Sequence, residues 1–214
     1  QTMMKTVEQL ALALGLALAM GCGDDGDDGD GGGGSAGQAG EPGEVDTGLP
    51  EDRPIQDISA EEYANACESL RQSVRERMGP DRAVRGVCEV YAGALLDEPA
   101  QCRSGADTCV TQVNAGNSPI PNLSRESLDF TMFECGDVGG LQGCTVTVGE
   151  LETCLEDRMT TIEGALDANG CDNAASVTLP IALAALDQAS TPPQSCAGVQ
   201  ACPGLAALAG PAAP

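Results

Sequence analysis

Cysteine is the residue type with the widest chemical scope in this chain, and histidine, its usual catalytic and metal-binding companion, is missing altogether. There are 11 cysteines: Cys22, Cys67, Cys88, Cys102, Cys109, Cys135, Cys144, Cys154, Cys171, Cys196 and Cys202. Structural zinc sites use cysteine pairs with two to four intervening residues, and thioredoxin-type redox pairs use two. The closest pairs here, Cys196 with Cys202 and Cys102 with Cys109, are both wider. Disulfides are therefore the expected state of the cysteines from Cys67 to Cys202, and no metal or cofactor is expected. Persistent disulfides imply an oxidising, extracytoplasmic compartment. Histidine-assisted serine or cysteine catalysis is excluded, and Lys5 is the only lysine that could act as a base. Carboxylates remain. Glu150, Glu152, Glu156 and Asp157 read as the ordinary polar side of an amphipathic helix. Glu134 and Asp137, in a glycine-rich stretch, are the acid–base pair to inspect. Gly33-Gly34-Ser35-Ala36-Gly37 fits Gly-x-Ser-x-Gly formally but has low-complexity flanks and no histidine to serve it. The aspartates nearby lack the order of a calcium loop. No catalytic residue is assigned.

An odd cysteine count in an exported chain leaves one thiol for different chemistry. The candidate is Cys22. It follows an apolar run of 11 residues, Leu10 to Met20, and the small residue Gly21. Met3 or Met4 reads as the translational start, and Lys5 supplies the positive charge ahead of the run. That run suits a signal-peptide core and is too short to span a bilayer of about 30 Å as a helix. Ala19-Met20-Gly21-Cys22 resembles the lipobox of bacterial lipoprotein signal peptides. The resemblance implies cleavage between Gly21 and Cys22 and a diacylglyceryl group on the Cys22 thiol. It also implies a bacterial cell-envelope location, lipid-anchored. Gly23 rather than Asp after the cysteine implies outer-membrane delivery by the enterobacterial sorting pattern. Setting Cys22 aside leaves ten cysteines, enough for five disulfides.

The formal net charge is −23, with no basic tract, which argues against nucleic acid as a partner and against electrostatic attraction to anionic lipid. The membrane is reached through the lipid on Cys22 instead, with an unidentified envelope protein as a further partner. Two Phe, two Tyr and no Trp leave little aromatic surface for hot spots, and little apolar area per core residue. Crosslinks would offset such an alanine-rich filling.

The elements that must position these cysteines follow from composition and periodicity. Residues 1–21 read as signal peptide and 22–57 as a disordered, acidic, Gly-rich tether, since that stretch buries too little apolar surface to offset its ordering entropy. Its end-to-end distance would be roughly 30–35 Å. Ser59-Ala60-Glu61-Glu62 is a capping box, and Tyr63, Cys67, Leu70, Val74 and Met78 follow at helical spacing. A second helix capped by Asp81 would bury Val84, Val87, Cys88, Tyr91 and Leu95. A third, from Asp97, would bury Cys102, Ala106, Cys109 and Val113, with Gly105 weakening it by about 1 kcal/mol. Residues 114–122 break the pattern and read as a boundary. Asn122-Leu123-Ser124 is a formal sequon without expected meaning in a bacterium. Phe130 and Phe133 should anchor a short element. Thr147-Val148-Gly149-Glu150 is a second capping box, opening a helix with the stripe Leu151, Cys154, Leu155, Met159, Ile162 and Leu166. A shorter helix should run from Pro180 to Asp187, and a last turn or two should carry Cys196 and Cys202.

The boundary divides the cysteines into four, Cys67 to Cys109, and six, Cys135 to Cys202. The expected fold is mainly α: small disulfide-crosslinked helical bundles behind the signal segment and tether. It comprises one submodule at 58–116, a second at 117–204 and a frayed tail at 205–214, each submodule crosslinked within itself. Cys144-Thr145-Val146-Thr147-Val148-Gly149-Glu150-Leu151-Glu152-Thr153-Cys154 and the pattern from Cys196 to Pro203 resemble uncharacterised cysteine-rich bacterial lipoproteins, chiefly of delta-proteobacterial type. That resemblance implies a lineage and no chemistry. The expected function is a membrane-anchored envelope lipoprotein that presents a disulfide-stabilised helical domain in a non-enzymatic binding or structural role. The alternative is an extracytoplasmic hydrolase using carboxylates or a bound metal.

Overall fold

The computed structural model describes residues 45–121, 123–128 and 138–205. Gly21, Cys22, most of the expected tether, Asn122, Phe130, Phe133, Glu134, Cys135, Asp137 and the tail after Leu205 lie outside the described residues. The described part is mainly helical, as expected, and contains no β-strand, only an isolated antiparallel bridge between Pro54 and Thr147.

Helix α1 spans Ala60–Met78, α2 Pro80–Gly93, α3 Pro99–Asn114, α4 Val148–Ala168, α5 Leu179–Ser190 and α6 Ala197–Gln200. Both capping boxes form. Ser59 Oγ accepts from the Glu62 amide while the Glu62 carboxylate accepts from the Ser59 amide, and Thr147 and Glu150 repeat the exchange at α4. Asp81 and Asp97 are not caps. Gly79 precedes α2 and Glu98 precedes α3, neither with a side-chain bond, and Pro80 and Pro99 occupy the first turns. Proline is suited there because its ring pre-sets φ and its missing N–H would have had no helical partner. The α2 face ends sooner than expected. Val84, Val87 and Cys88 are buried, whereas Leu95 lies beyond the helix and is 53% exposed. Gly105 has a packing reason: a Cβ there would sit 2.9 Å from Leu96 Cδ1, so the glycine lets α3 approach the α2–α3 turn.

Two apolar cores result. The first gathers Val84 and Val87 of α2, Ala106 of α3, Leu166 of α4, and Ile120 and Leu128 from the chain between α3 and α4. The second gathers Val45 and Ile55 from the chain ahead of α1, Leu141 and Val146 ahead of α4, Leu151 of α4 and Val199 of α6. Burial of each Val, Leu or Ile contributes about 1.5–3 kcal/mol, and each core takes such residues from both sides of the 114–122 loop. Two helices pass through both cores. Helix α1 gives Val74 and Met78 to the first and Leu70 to the second; α4 gives Met159 and Leu166 to the first and Leu151 and Leu155 to the second.

This arrangement corrects the division into submodules 58–116 and 117–204. The 114–122 loop is no domain boundary, because Ile120 within it is fully buried in the first core. It also corrects the tether's end at residue 57. Residues 45–58 form a strap packed on α1 and α4, with Val45, Thr47 and Ile55 buried. Leu205, expected in the frayed tail, is a fully buried residue of the second core.

Candidate functional site

The cysteines form the covalent framework. Each of the nine described cysteines is disulfide-bonded. Cys88 of α2 pairs with Cys109 of α3, at a Cα–Cα distance of 5.6 Å. Cys102 of α3 pairs with Cys171, which follows α4, at 5.4 Å. Cys144 ahead of α4 pairs with Cys202 after α6, at 5.2 Å, and Cys154 of α4 pairs with Cys196, at 4.6 Å. All four separations lie in the range a disulfide requires. Cys67 is bonded too, and its partner is not among the described residues. The Cys102–Cys171 bridge joins the set of four to the set of six, so the expectation that each set is crosslinked within itself is wrong. The physical reason lies in α4. Its C-terminal half packs beside α2, and the turn that follows carries Cys171 onto α3.

Of the four α4 carboxylates singled out in the sequence, Glu150, Glu152 and Glu156 have structural surroundings and Asp157 is exposed. Glu150 completes the cap. Glu156 and Glu163 hold Arg77 of α1, with Arg77 Nη2 2.8 Å from Glu163 Oε2 and 2.8 Å from Thr160 Oγ1. Arg82 of α2 adds a contact to Glu163 at 3.2 Å. These charges stitch α1 and α2 to α4 along the seam between the cores. They hold the Arg77 guanidinium above its ordinary pKa, chiefly through the Glu163 hydrogen bond.

Glu152 is different. Its Oε1 accepts from both the amide and the hydroxyl of Thr47 in the strap, each at 2.7 Å. Burial pushes its carboxyl above the usual range, against the two Thr47 bonds, and the neighbouring Asp46 and Glu51 push the same way. The strap is further fixed by backbone bonds. Ile55 N–H donates to the Val146 carbonyl at 3.0 Å, Val148 N–H to that of Arg53 at 2.9 Å, and Gly149 N–H to that of Glu51 at 2.9 Å. At the strap's far end Arg53 pairs with Glu62, and that bond, with those from Ser59, holds the Glu62 carboxyl down to about 2.

Beneath the strap lies an apolar cavity of about 20 Å³, room for roughly one water, between Leu49 and Ile58 of the strap, Tyr63 and Leu70 of α1, and Val148 of α4. Apolar walls do not offer a water the two to four polar partners it needs. Among the described residues no three Cys, Asp or Glu side chains converge to hold a metal ion, and no helix is long and apolar enough to cross a membrane.

Sequence reasoning missed the strap. The available signal was the alternation Val45, Thr47, Leu49, a period of two that places three side chains on one face. Its three positions sit in a stretch dominated by Gly, Pro, Asp and Glu. The sequence pair Glu134 and Asp137, and Cys22 itself, lie outside the described residues. No family model, curated protein or solved structure matches this chain.

Proposed function

We propose that this chain is a lipid-anchored lipoprotein of a bacterial cell envelope that displays a disulfide-locked helical domain in a binding or structural role without catalysis. The observation that carries the reading is the 11-residue apolar run from Leu10 to Met20, closed by Gly21 and Cys22. The oxidised state of all nine described cysteines supports an extracytoplasmic compartment. Outer-membrane delivery is supported by Gly23 after the modified cysteine. The non-catalytic part of the reading is supported by the missing histidine and by the engagement of Glu150, Glu152 and Glu156 in cap, strap and ion pair.

The lipid has a covalent consequence. A thioether at Cys22 cannot also form a disulfide, so the reading assigns Cys135 as the partner of Cys67. The spacer between Cys22 and the strap is then the stretch 23–44, which as a flexible coil would reach roughly 23–28 Å. Replacing Cys22 by serine and following labelled fatty acid tests the anchor. Loss of label and loss of the chain from the membrane fraction are expected; identical maturation and membrane retention of the variant would refute it.

A further inference from the structure

We propose that the strap of residues 45–58 is a latch that opens separately from the rest of the domain, with Glu152 as the catch whose charge sets how firmly it closes. Three observations lead there. The strap contains no cysteine, whereas the chain from α1 to Leu205 carries nine disulfide-bonded ones. With Cys67 paired to Cys135, as the lipoprotein reading assigns, no crosslink encloses the strap, and a segment outside the crosslinks opens at lower cost than the segments they tie. The strap's attachment is also a short list. It consists of three backbone bonds near Val146 to Gly149, two Thr47 bonds to a single Glu152 oxygen, the Arg53–Glu62 pair to α1, a long 3.4 Å contact from Val45 N–H to Glu156 Oε2, and the buried side chains of Val45, Thr47 and Ile55. Finally, the apolar cavity under Leu49 and Ile58 means that closure leaves part of the seat unfilled.

The charges around the catch set the direction of its response. Asp46 and Glu51 approach Glu152 from the strap, and both carry its own sign. Glu156 lies one turn further along α4 and is paired with Arg77 of α1; Arg53 of the strap is paired with Glu62. Burial and the acidic neighbours thus oppose ionisation of Glu152 in the closed strap. A carboxyl whose pKa is higher closed than open favours closure below its open-state pKa. That contribution is lost as pH rises through the closed-state value. An opened strap would uncover Leu70, Val148 and Leu151 and, on the lipoprotein reading, would lengthen the spacer that leads to Cys22.

The test is independent of the lipid. Hydrogen exchange is followed on the full chain with its disulfides intact, from pH 4 to 7, after correction for the intrinsic rate. Thr47, Ile55 and Gly149 amides should exchange through an opening cheaper than that of Val87 and Ala106 amides, and cheaper still as pH rises. Glu152→Gln keeps an oxygen acceptor for Thr47 without the charge. It should keep the strap closed and lose the pH dependence. Strap amides that exchange only together with Val87 and Ala106 would overturn the proposal. So would an unchanged pH dependence in Glu152→Gln, or a strap left open in that variant at every pH.

Discussion

The two cores are stabilised differently. In the first, α2 and α3 pack as an antiparallel pair, and α4 and α5 close over them, so long helices supply the buried surface. Its bridges, Cys88–Cys109 and Cys102–Cys171, tie elements that already lie side by side. In the second core only α1 and α4 are long. The remainder is a strap, a 3₁₀ turn at Val138–Leu141, the segment 142–147 and the short turns from Gln194 to Leu205. Such pieces have little stability of their own, because short helical turns do not repay their nucleation cost. Here the bridges Cys144–Cys202 and Cys154–Cys196 set which segments meet. The approach is close enough that Gly204 N–H bonds the Gly140 carbonyl at 3.0 Å, and a Cβ on Gly204 would lie 2.6 Å from that oxygen. Helix packing builds one core, and crosslinked irregular chain builds the other.

The sharpest way to break this contrast is to remove one bridge from each core. Cys102→Ala with Cys171→Ala opens a loop of 69 residues, and Cys144→Ala with Cys202→Ala one of 58. The chain-entropy relation gives about 4 kcal/mol for each. Denaturant midpoints should fall by similar amounts. Hydrogen exchange should nevertheless show α2 and α3 still protected in the first variant, with residues 138–146 and 201–205 unprotected in the second. Equal local damage in both would erase the difference.

Ile55→Ala should cost about 3 kcal/mol, since Ile55 is 1% exposed and sits where the strap enters the second core. Its effect should stay confined to strap and second-core amides. Arg77→Met probes the seam instead. Removing this cation leaves Glu163, whose side chain is 16% exposed, with Arg82, and leaves Glu156, at 38%, with the long Val45 N–H contact. Partial exposure discounts the loss to about 2 kcal/mol, and both cores should respond together because α1 and α4 run through both. Ser59→Ala and Thr147→Ala should each cost about 1 kcal/mol in chemical denaturation by removing a helix cap. The smallest effect concerns pH. Glu62, held down to about 2 by Arg53 and Ser59, contributes a pairing present above its ordinary carboxyl range and lost as pH falls toward about 2. An NMR titration of Glu62 should show this midpoint, and Arg53→Ala should raise it.

The same contrast explains what was legible in the sequence. The stripes of α1, α3 and α4 and both capping boxes could be read because helical spacing repeats along 16 to 21 residues. Cys102, Ala106, Cys109 and Val113 are all buried as their spacing indicated. Outside α1 and α4, the second core offered only the short Val45, Thr47, Leu49 alternation to read. Val45 and Ile55 are isolated apolar residues in a polar stretch, and Leu205 precedes an Ala/Pro tail. Loop content likewise misled the domain division, because a Pro- and Asn-rich turn still delivers Ile120 to a core. Cysteine pairing was legible only as parity. Which thiols meet depends on where α4 lies in space, and Cys171 reaches Cys102 across 69 residues for that reason.

The most direct measurement is peptide mapping of the mature protein under non-reducing conditions by mass spectrometry. The lipoprotein reading predicts an N-terminal peptide beginning at Cys22 with a diacylglyceryl mass and no crosslink. It also predicts Cys102 joined to Cys171 and Cys67 joined to Cys135. A disulfide between Cys22 and Cys67, or an unmodified Cys22 thiol, would contradict it.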